Sequence, residues 1–288
     1  MTAVAASPLL HALRALYGID VQILQRVPLS GGNVSVLHLD NGERLFMKTS
    51  ASAPPEMFQC EFEGLSVLKA GGHLRVPAPL WADKQFLLSE YIDLGPRDKD
   101  WEEKLGHGLA LLHTASGQER FGLQRDNYIG PTLQPNGWTS DWAAFWRTRR
   151  MGWQLQLWSR EALPGDHLME LAERLAERLD DFLSPVTERA VLLHGDLWAG
   201  NAGADFSGAP VIFDPAVYYG HREAEFGMMR LFGGFGPRVE EAYQEVWPWA
   251  PGHEERIALY RLYHELNHLN LFGGTYYEQC LATMRALL

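Results

Sequence analysis

The stretch Leu193-His194-Gly195-Asp196-Leu197-Trp198-Ala199-Gly200-Asn201, with Asp214 a few residues later, decides how this chain is interpreted. The apolar run 191–193 predicts a buried strand that delivers Asp196 to its carboxyl end. Asp196 and Asn201 stand five residues apart, the spacing that puts a base and a metal ligand on one catalytic loop in phosphotransferases. A second short apolar run then ends at Asp214, which adds another carboxylate.

These polar side chains suit phosphoryl transfer from ATP. Mg²⁺ prefers oxygen ligands, and Asn201 with Asp214 suffices if phosphate oxygens complete the coordination shell. Asp196 then has no metal to hold, and its expected task is to accept the proton of an attacking hydroxyl group. The segment 194–196 alone is also ordinary turn chemistry at the end of a strand. The complete pattern is much harder to reach by chance, and it favours catalysis.

The composition predicts an acidic protein without a basic surface for nucleic acid or membranes. The chain has 288 residues, enough for one large or two modest domains, and a formal net charge of −11. Nucleic acids and anionic membranes are bound by basic patches, so neither is expected as a partner. Two cysteines cannot form a disulfide framework, and no leader or membrane span is predicted, so we expect a cytoplasmic protein. The sequence leaves the oligomeric state open.

The N-terminal third predicts a helix followed by a small sheet. Leucines at helical spacing indicate a helix over residues 8–17. Three apolar runs predict strands over residues 21–29, 34–39 and 44–49. The sequence Asp40-Asn41-Gly42 predicts a hairpin turn between the second and third of these strands.

The loop between the first two strands is a candidate phosphate-binding loop. Gly31, Gly32 and Asn33 would let backbone N–H groups approach phosphate oxygens closely. The loop does not match the G-x-G-x-x-G pattern, and an ordinary hairpin turn explains it equally well when it is considered alone.

A lysine on the third strand is expected to pair with a glutamate on the next helix. The pattern predicts a helix over residues 55–70, in which Glu61 shares a face with Leu65 and Leu68 and points toward the core. A carboxylate on an apolar face needs a partner, and Lys48 on the preceding strand can supply it. In kinases, such a pair holds the α- and β-phosphates of ATP.

The best domain boundary follows the run 86–92, which predicts an edge or connecting strand before a Gly-Pro break. We therefore assign residues 1–92 to an N-lobe with the phosphate loop, and residues 93–288 to a C-lobe with the catalytic loop, metal site and acceptor pocket. At the junction, the backbone groups of Glu90, Tyr91 and Ile92 are expected to recognise an adenine.

Beyond the boundary the pattern becomes helical. Leucine spacing predicts helices over residues 101–113 and 168–182. Between them, the segment 138–158 is rich in Trp and Arg. Most of these tryptophans are expected in the core, but aromatic faces with polar edges also suit sugars. Trp142 is therefore a candidate for the acceptor pocket.

The motifs of this chain resemble those of the fructosamine-kinase (ketosamine-3-kinase) family, within the wider aminoglycoside- and choline-kinase-like fold. The resemblance rests on residues 194–201, 210–216, 218–225, 229–235 and 266–273, and so covers nearly the whole chain. It implies an α+β, two-lobed protein-kinase-like fold with a small mixed β-sheet N-lobe and a mainly helical C-lobe. It also implies ATP- and Mg²⁺-dependent phosphorylation of the 3-hydroxyl of a ketosamine, a sugar joined to an amine that is free or protein-bound.

Within these motifs, Trp198, Tyr219 and His221 are candidates to face the acceptor, and Glu225 is expected to be structural. Some family members carry a Cys where this chain has Asn33, so redox control through that position is not expected. Gly195 replaces the Arg of the protein-kinase H-R-D motif, which would engage a phosphorylated activation loop, so no such switch is expected.

Three other functions compete with this interpretation. The acceptor could be another small alcohol or amine, as in aminoglycoside and choline kinases. His264-Glu265-Leu266-Asn267-His268 matches H-E-x-x-H, the zinc-protease helix motif, although no third ligand segment follows it. A pseudokinase that only binds nucleotide is disfavoured because each expected catalytic side chain is present.

Overall fold

The computed structural model describes residues 8–18, 20–29, 32–160, 166–185 and 188–288. Within this part of the chain, a small lobe is built on a five-stranded sheet and a larger lobe is mainly helical. The expected α+β, two-lobed architecture is therefore confirmed.

The small lobe consists of one sheet with two helices. Its elements are α1 (Pro8–Tyr17), β1 (Ile23–Pro28), β2 (Val34–Leu39), β3 (Arg44–Thr49), α2 (Met57–Gly71), β4 (Pro79–Ala82) and β5 (Phe86–Glu90). The strand order is β1-β2-β3-β5-β4, and each neighbouring pair is antiparallel. The expectation of a mixed sheet is thus wrong in this detail.

Strand β5 is an interior strand, which corrects its interpretation as an edge strand. Asp83 turns the chain between β4 and β5, since its Oδ1 accepts hydrogen bonds from the amides of Gln85 and Phe86 at 2.7 and 3.1 Å. The proline-rich stretch before β4 keeps that strand at the edge. As a result β5 pairs with β3 as well, and its side chains 86–89 are buried.

The turn between β2 and β3 forms as its sequence predicts. Gly42 has φ of 88°, a left-handed conformation that glycine adopts without strain. Its amide donates to the carbonyl of Leu39 at 3.1 Å, and the side chain of Asn41 accepts from the amide of Glu43 at 3.0 Å. This hairpin fixes the register that pairs Lys48 with Val34.

Helix α2 connects the two lobes through one hydrophobic core. Its buried Phe58, Leu65 and Leu68 belong to the same cluster as Leu109 and Leu192 of the helical lobe. The division at residues 92 and 93 therefore stays a prediction about lobes, and the hydrophobic core crosses it.

The larger lobe contains short strand pairs between helices. Its elements are β6 (Leu94–Gly95), α3 (Trp101–Ala115), β7 (Asn127–Ile129), β8 (Thr132–Gln134), α4 (Trp142–Phe145), a π-helical turn (Trp146–Met151), α5 (Gly152–Trp158), α6 (His167–Glu177), α7 (Leu179–Leu183), β9 (Val191–Leu193), a 3₁₀ turn (Ala199–Asn201), β10 (Ala202–Asp205), β11 (Pro210–Ile212), β12 (Tyr218–Gly220), α8 (Ala224–Leu231), α9 (Pro237–Val246), α10 (His253–Phe272) and α11 (Tyr276–Leu287). The helix expected over 168–182 is interrupted at Arg178, between α6 and α7. None of the described helices is both long and apolar enough to cross a membrane.

Two antiparallel strand pairs in this lobe position the polar residues of the first motif. Strand β9 pairs with β12, and β10 pairs with β11. Asp196 lies in the loop that follows β9, and Asp214 lies just beyond β11. The amide of Phe213 donates to the carbonyl of Asn201 at 3.1 Å, which ties the two loops together.

Candidate active site

Two cavities between the lobes meet at a shared wall. One, of about 320 Å³, is the more polar of the two and is lined by Lys48, Asp196 and Asn201 among others; we call it the polar cavity. The second, of about 470 Å³, is bounded by the sheet, the segment after β5 and strand β11. Glu61 and Asp214 line both cavities. Ligands bound in the two cavities would therefore contact the same two carboxylates.

A lysine in the polar cavity binds both carboxylates of this shared wall. Lys48 Nζ donates to both carboxylate oxygens of Glu61 at 2.9 Å and to Asp214 Oδ1 at 3.1 Å. Burial disfavours the charged ammonium, but the two carboxylates outweigh it and raise the pKa of Lys48. Lys48 is therefore a fixed positive charge, and the pairing with Glu61 expected from the sequence is present.

Asp214 is the exposed carboxylate of this cluster. Its side chain is 40% exposed against 10% for Glu61, and its backbone φ of 56° is unusual for a residue other than glycine. Burial opposes ionisation, but the ammonium of Lys48 holds the pKa of Asp214 below its ordinary value. A charged carboxylate thus faces both cavities at neutral pH.

The loop after β9 reverses sharply at Gly195, and this reversal presents Asp196 to the polar cavity. Gly195 has φ of 81°, and a Cβ atom built there would lie 2.1 Å from the carbonyl oxygen of Ala216. The position is therefore closed to residues with a side chain unless the backbone moves. This contact explains why the chain carries glycine where protein kinases carry arginine.

The loop that carries Asp196 is held in place by a buried histidine and a buried glutamate. His194 Nε2 donates to the carbonyl of Phe213 at 2.9 Å, and its Nδ1 accepts from the amide of Asp196 at 3.3 Å. The carboxylate of Glu225 accepts from the amides of His194 and Gly195 at 2.6 and 3.0 Å. Burial lowers the pKa of His194, so the imidazole is neutral and orients the loop through hydrogen bonds.

Asn201 lies between the two acidic residues. Its Nδ2 donates to the backbone carbonyl of Asp196 at 2.9 Å and lies 3.4 Å from both Asp196 Oδ2 and the carbonyl oxygen of Asp214. The amide nitrogen is therefore engaged by the protein, and Oδ1 is the atom left for a ligand. Burial, then the carboxylates of Asp214 and Glu225, raise the pKa of Asp196 well above its ordinary value.

The described part of the candidate phosphate loop leaves Gly32 uncovered and places Asn33 at the polar cavity. Gly32 has φ of 75°, and no atom lies within 4 Å of a Cβ built there. The carbonyl of Asn33 accepts from the amide and hydroxyl of Thr49 at 2.8 and 3.2 Å, and Asn33 lines the cavity. Gly31 lies outside the described residues.

The segment after β5 lines the second cavity. Glu90, Tyr91 and Ile92 all contribute to its wall, together with Phe46 and Leu87 of the sheet. The carboxylate of Glu90 is directed away, because it accepts from the amide of Ala78 at 3.1 Å and pairs with Arg75. The sequence thus brings backbone of this segment, and not an acidic side chain, to the cavity.

Only one of the four candidate acceptor-facing side chains lines the polar cavity. Trp198 does so and is 36% exposed. Tyr219 instead lines a separate cavity of about 90 Å³ behind α2. His221 and Trp142 are 1% and 6% exposed, and both bind the hydroxyl of Tyr260, at 2.9 and 3.0 Å. The expectation for these three residues is corrected, because strand direction and core packing turn them away from Asp196.

Sequence reasoning missed Arg97, which supports the loop that carries Asp196, and Tyr128, which lines the polar cavity. Arg97 donates to the carbonyls of Ala199 and Ala202, both at 3.0 Å, and stacks 4.0 Å above the ring of Trp101. Tyr128 of β7 also lines the polar cavity, and its hydroxyl donates to the carbonyl of Pro55 at 2.9 Å. Both contacts join segments far apart in sequence, so no local pattern announces them.

The H-E-x-x-H segment is a packed part of α10. His264 is 3% exposed, and burial lowers its pKa to about 3. His268 Nδ1 donates to the carbonyl of His264 at 2.7 Å, and Glu265 pairs with Arg261 at 2.9 Å. No group of three potential metal-binding side chains occurs among the described residues. Nothing supports the zinc-protease alternative.

Fold and site together define a kinase of the two-lobed, protein-kinase-like class. The choline kinase of Streptococcus pneumoniae superposes with a TM-score of 0.65 over 96% of this chain and 98% of its own, at 14% identity, which shows the shared fold. A fructosamine-3-kinase homologue from Thermobifida fusca superposes with a TM-score of 0.85 at 33% identity, over 97% of this chain and 98% of its own.

The chain belongs to the fructosamine kinase family, whose model matches residues 8–288. A "probable ketoamine kinase" of Vibrio parahaemolyticus is 38% identical over 93% of this chain and 94% of its own. A chloroplastic protein-ribulosamine 3-kinase of Arabidopsis thaliana is 37% identical over 92% of this chain and 83% of its own. The protein is accordingly a phosphotransferase that acts on a hydroxyl group.

Proposed function

We propose that this chain transfers the terminal phosphoryl group of ATP, with Mg²⁺, to the 3-hydroxyl of a ketosamine, and that Asp196 is the base. One observation carries the proposal. Asp196 faces a polar cavity that shares Glu61 and Asp214 with a second cavity of suitable size for a nucleotide base and sugar. A donor in one cavity and an acceptor in the other would meet at these carboxylates.

The second cavity suits the adenosine part of ATP. Its walls combine apolar side chains such as Phe46 and Leu87 with the backbone of Tyr91 and Ile92. Among the described residues, the amide of Ile92 donates to no backbone carbonyl and is available to a ligand, whereas the amide of Tyr91 faces the neighbouring strand β3. Lys48 lines the adjoining polar cavity beside the shared carboxylates, where its fixed charge can bind phosphate oxygens.

The donor set fits a hard divalent cation. Asn201 Oδ1 and the charged carboxylate of Asp214 would hold Mg²⁺, since both are oxygen ligands on linked loops. When bound with ATP, Mg²⁺ neutralises phosphate charge and orients the transferred group. Lys48 limits the net negative charge that these carboxylates bring to the phosphates.

Asp196 is suited to orient and deprotonate the acceptor. Within the part of the chain that the structure describes, its carboxylate has no cationic partner, in contrast to Glu61 and Asp214. The acceptor hydroxyl donates its proton to this carboxylate as its oxygen bonds to the transferred phosphorus, while the bond to the ADP oxygen breaks. Glu225 keeps the loop in position through the two backbone amides.

The lining of the polar cavity favours a ketosamine over a polycationic aminoglycoside. Its carboxylates are Glu61, Asp196 and Asp214, and each already has a role in transfer. No further described acidic residue lines this cavity to hold several ammonium groups. Trp198 supplies an aromatic wall suited to a sugar and one cationic amine. The names of the Vibrio and Arabidopsis relatives support the same substrate class.

A side-by-side substrate screen tests this proposal. The purified protein is assayed with ATP and Mg²⁺ on fructosyl- and ribulosyl-lysine, an aminoglycoside and choline. We expect turnover of the ketosamines and a phosphate on the 3-oxygen, located by phosphorus–proton correlation NMR. Fast turnover of the aminoglycoside or choline with negligible ketosamine turnover would contradict the proposed acceptor and leave the kinase class intact.

A further inference from the structure

A continuous series of aromatic side chains leads outward from the polar cavity over the helical lobe. The rings of Trp198 and Phe232 lie edge to face, with centroids 5.7 Å apart, and Phe232 contacts His268 in the same way at 5.0 Å. His268 in turn contacts Phe272 at 5.6 Å and Tyr276 at 5.2 Å. We call these five residues the aromatic ladder.

The aromatic ladder is exposed along most of its length. Trp198, Phe232 and Phe272 are 36%, 45% and 68% exposed. Single exposed apolar residues are common on protein surfaces, whereas a contiguous series that begins inside a functional cavity marks a binding surface. Helices hold these side chains in position, because Phe232 directly follows α8, and His268 and Phe272 lie one turn apart on α10.

The middle of the aromatic ladder carries no positive charge. Burial lowers the pKa of His268, which also donates from Nδ1 to a helix carbonyl, so its imidazole is neutral at pH 7. The surface therefore consists of neutral ring faces and edges. Such a surface attracts a cationic amine near Trp198 and apolar side chains farther out.

We propose that the aromatic ladder binds the peptide that carries a ketosamine-modified lysine, and that it favours an apolar or aromatic side chain next to that lysine. The inference rests on the proposed function. If the 3-hydroxyl lies at Asp196, the amine on carbon 1 is only two carbons away, and its substituent must leave the cavity along a wall. Trp198 belongs to both that wall and the ladder.

The length of the ladder favours a polypeptide over a small amine. The four-carbon stem of lysine carries the peptide backbone away from the sugar and toward the surface. An amine without a peptide would reach Trp198 and leave Phe272 uncovered. A peptide of about four or five extended residues, at roughly 3.3 Å per residue, could cover the ladder to its outer end.

Steady-state kinetics on two matched acceptors test this proposal. One acceptor is fructosyl-lysine with blocked termini, and the other is a hexapeptide in which phenylalanine and leucine follow the same modified lysine. The test variant is Phe272→Ser, at a highly exposed position whose replacement should not disturb folding. The control is Phe206→Ser, since Phe206 is 77% exposed but lines neither the polar cavity nor the ladder.

We expect a lower KM for the hexapeptide than for blocked fructosyl-lysine in the native protein. Phe272→Ser should raise the hexapeptide KM about tenfold and leave kcat and the KM of blocked fructosyl-lysine unchanged. Phe206→Ser should leave kcat and KM unchanged for both acceptors. Equal KM values for both acceptors, or an equal rise for both in Phe272→Ser, would overturn the inference. A dimer in sedimentation that Phe272→Ser dissociates would overturn it in favour of a second copy. No turnover of either acceptor would contradict the proposed function itself.

Discussion

Two histidine-containing segments of this chain match catalytic patterns, and they have opposite structural settings. His194-Gly195-Asp196 follows a buried strand and leaves Asp196 at the wall of a cavity. His264-Glu265-Leu266-Asn267-His268 lies within α10, where the first four residues are all buried. A pattern of reactive side chains thus indicates chemistry only where the backbone opens onto a space that can hold a substrate.

The hydrogen bonds of the two histidines explain the difference. Burial lowers the pKa of both imidazoles, so neither is charged at neutral pH. His194 uses both ring nitrogens to fix the loop that carries Asp196. Nδ1 of His264 has no hydrogen-bond partner among the described residues. The backbone hydrogen bonds of α10 hold the helix around His264. The imidazole of His264 therefore contributes to packing and does not orient a loop.

The largest expected effect follows from removing a proposed Mg²⁺ ligand beside the first segment. Asp214→Ala should reduce kcat/KM by about 10³-fold or more, because the proposed cation loses a charged ligand, and Asn201→Ala should weaken activity less. The measurement is the Mg²⁺ dependence of turnover, with Asp20→Ala, an exposed aspartate, as the control. Unchanged magnesium dependence in Asp214→Ala would exclude Asp214 as a ligand.

The next effect concerns the base. Asp196→Asn should lower kcat by ~10²–10⁴-fold and leave ATP affinity intact, since the carboxylate acts only on the acceptor proton. Nucleotide affinity measured by calorimetry, beside kcat, distinguishes this outcome from misfolding. A variant with nearly full kcat would remove Asp196 from the role of base.

A smaller effect should follow when the support of the catalytic loop is weakened. Glu225→Gln replaces one of two acceptors of the amides of His194 and Gly195 with an N–H group. We expect a stability loss of about 1–3 kcal/mol and a fall in kcat of roughly 10- to 100-fold. Denaturant unfolding and initial rates measure these, with Glu278→Gln on the surface of α11 as control. A stability loss with unchanged kcat would show that the loop holds its position without Glu225.

The smallest effect on chemistry is expected at the other segment. His264→Ala should cost about 2–4 kcal/mol of stability through a buried cavity, with kcat of the folded fraction unchanged. Elemental analysis should find no stoichiometric zinc in the native protein, in His264→Ala or in His268→Ala. The exposed His167→Ala is the control for stability. One tightly held zinc per chain, lost in either variant, would contradict the assignment of α10 to packing.

Local patterns of the sequence were sufficient for much of the fold. The bounds of β2 and β3 agree with their apolar runs, because an Asn-Gly turn fixes that hairpin. The pairing of Lys48 with Glu61 also followed, since a carboxylate on an apolar helix face needs a cation. The position of β5 inside the sheet did not follow, because it depends on which strand pairs with β3.

The acceptor side of the site could not be derived from the sequence. Trp142 and His221 have suitable chemistry, but the hydroxyl of Tyr260, distant in sequence, draws both into the core. No local pattern identifies Phe232 and Phe272 as parts of a binding surface, because only the folded chain brings them beside His268. Contacts between distant segments decide which side chains a substrate meets, and no periodicity reports them.

The close contact at Gly195 limits how this protein could evolve. Any side chain there would meet the carbonyl oxygen of Ala216, so an arginine that senses a phosphorylated loop cannot be acquired by one substitution. The segment before β12 would have to shift first, and that shift would disturb the catalytic loop by breaking the hydrogen bond from the amide of Ala216 to the carbonyl of His194. An arginine at this position would therefore require coupled changes in the segment before β12 and in the loop that carries Asp196.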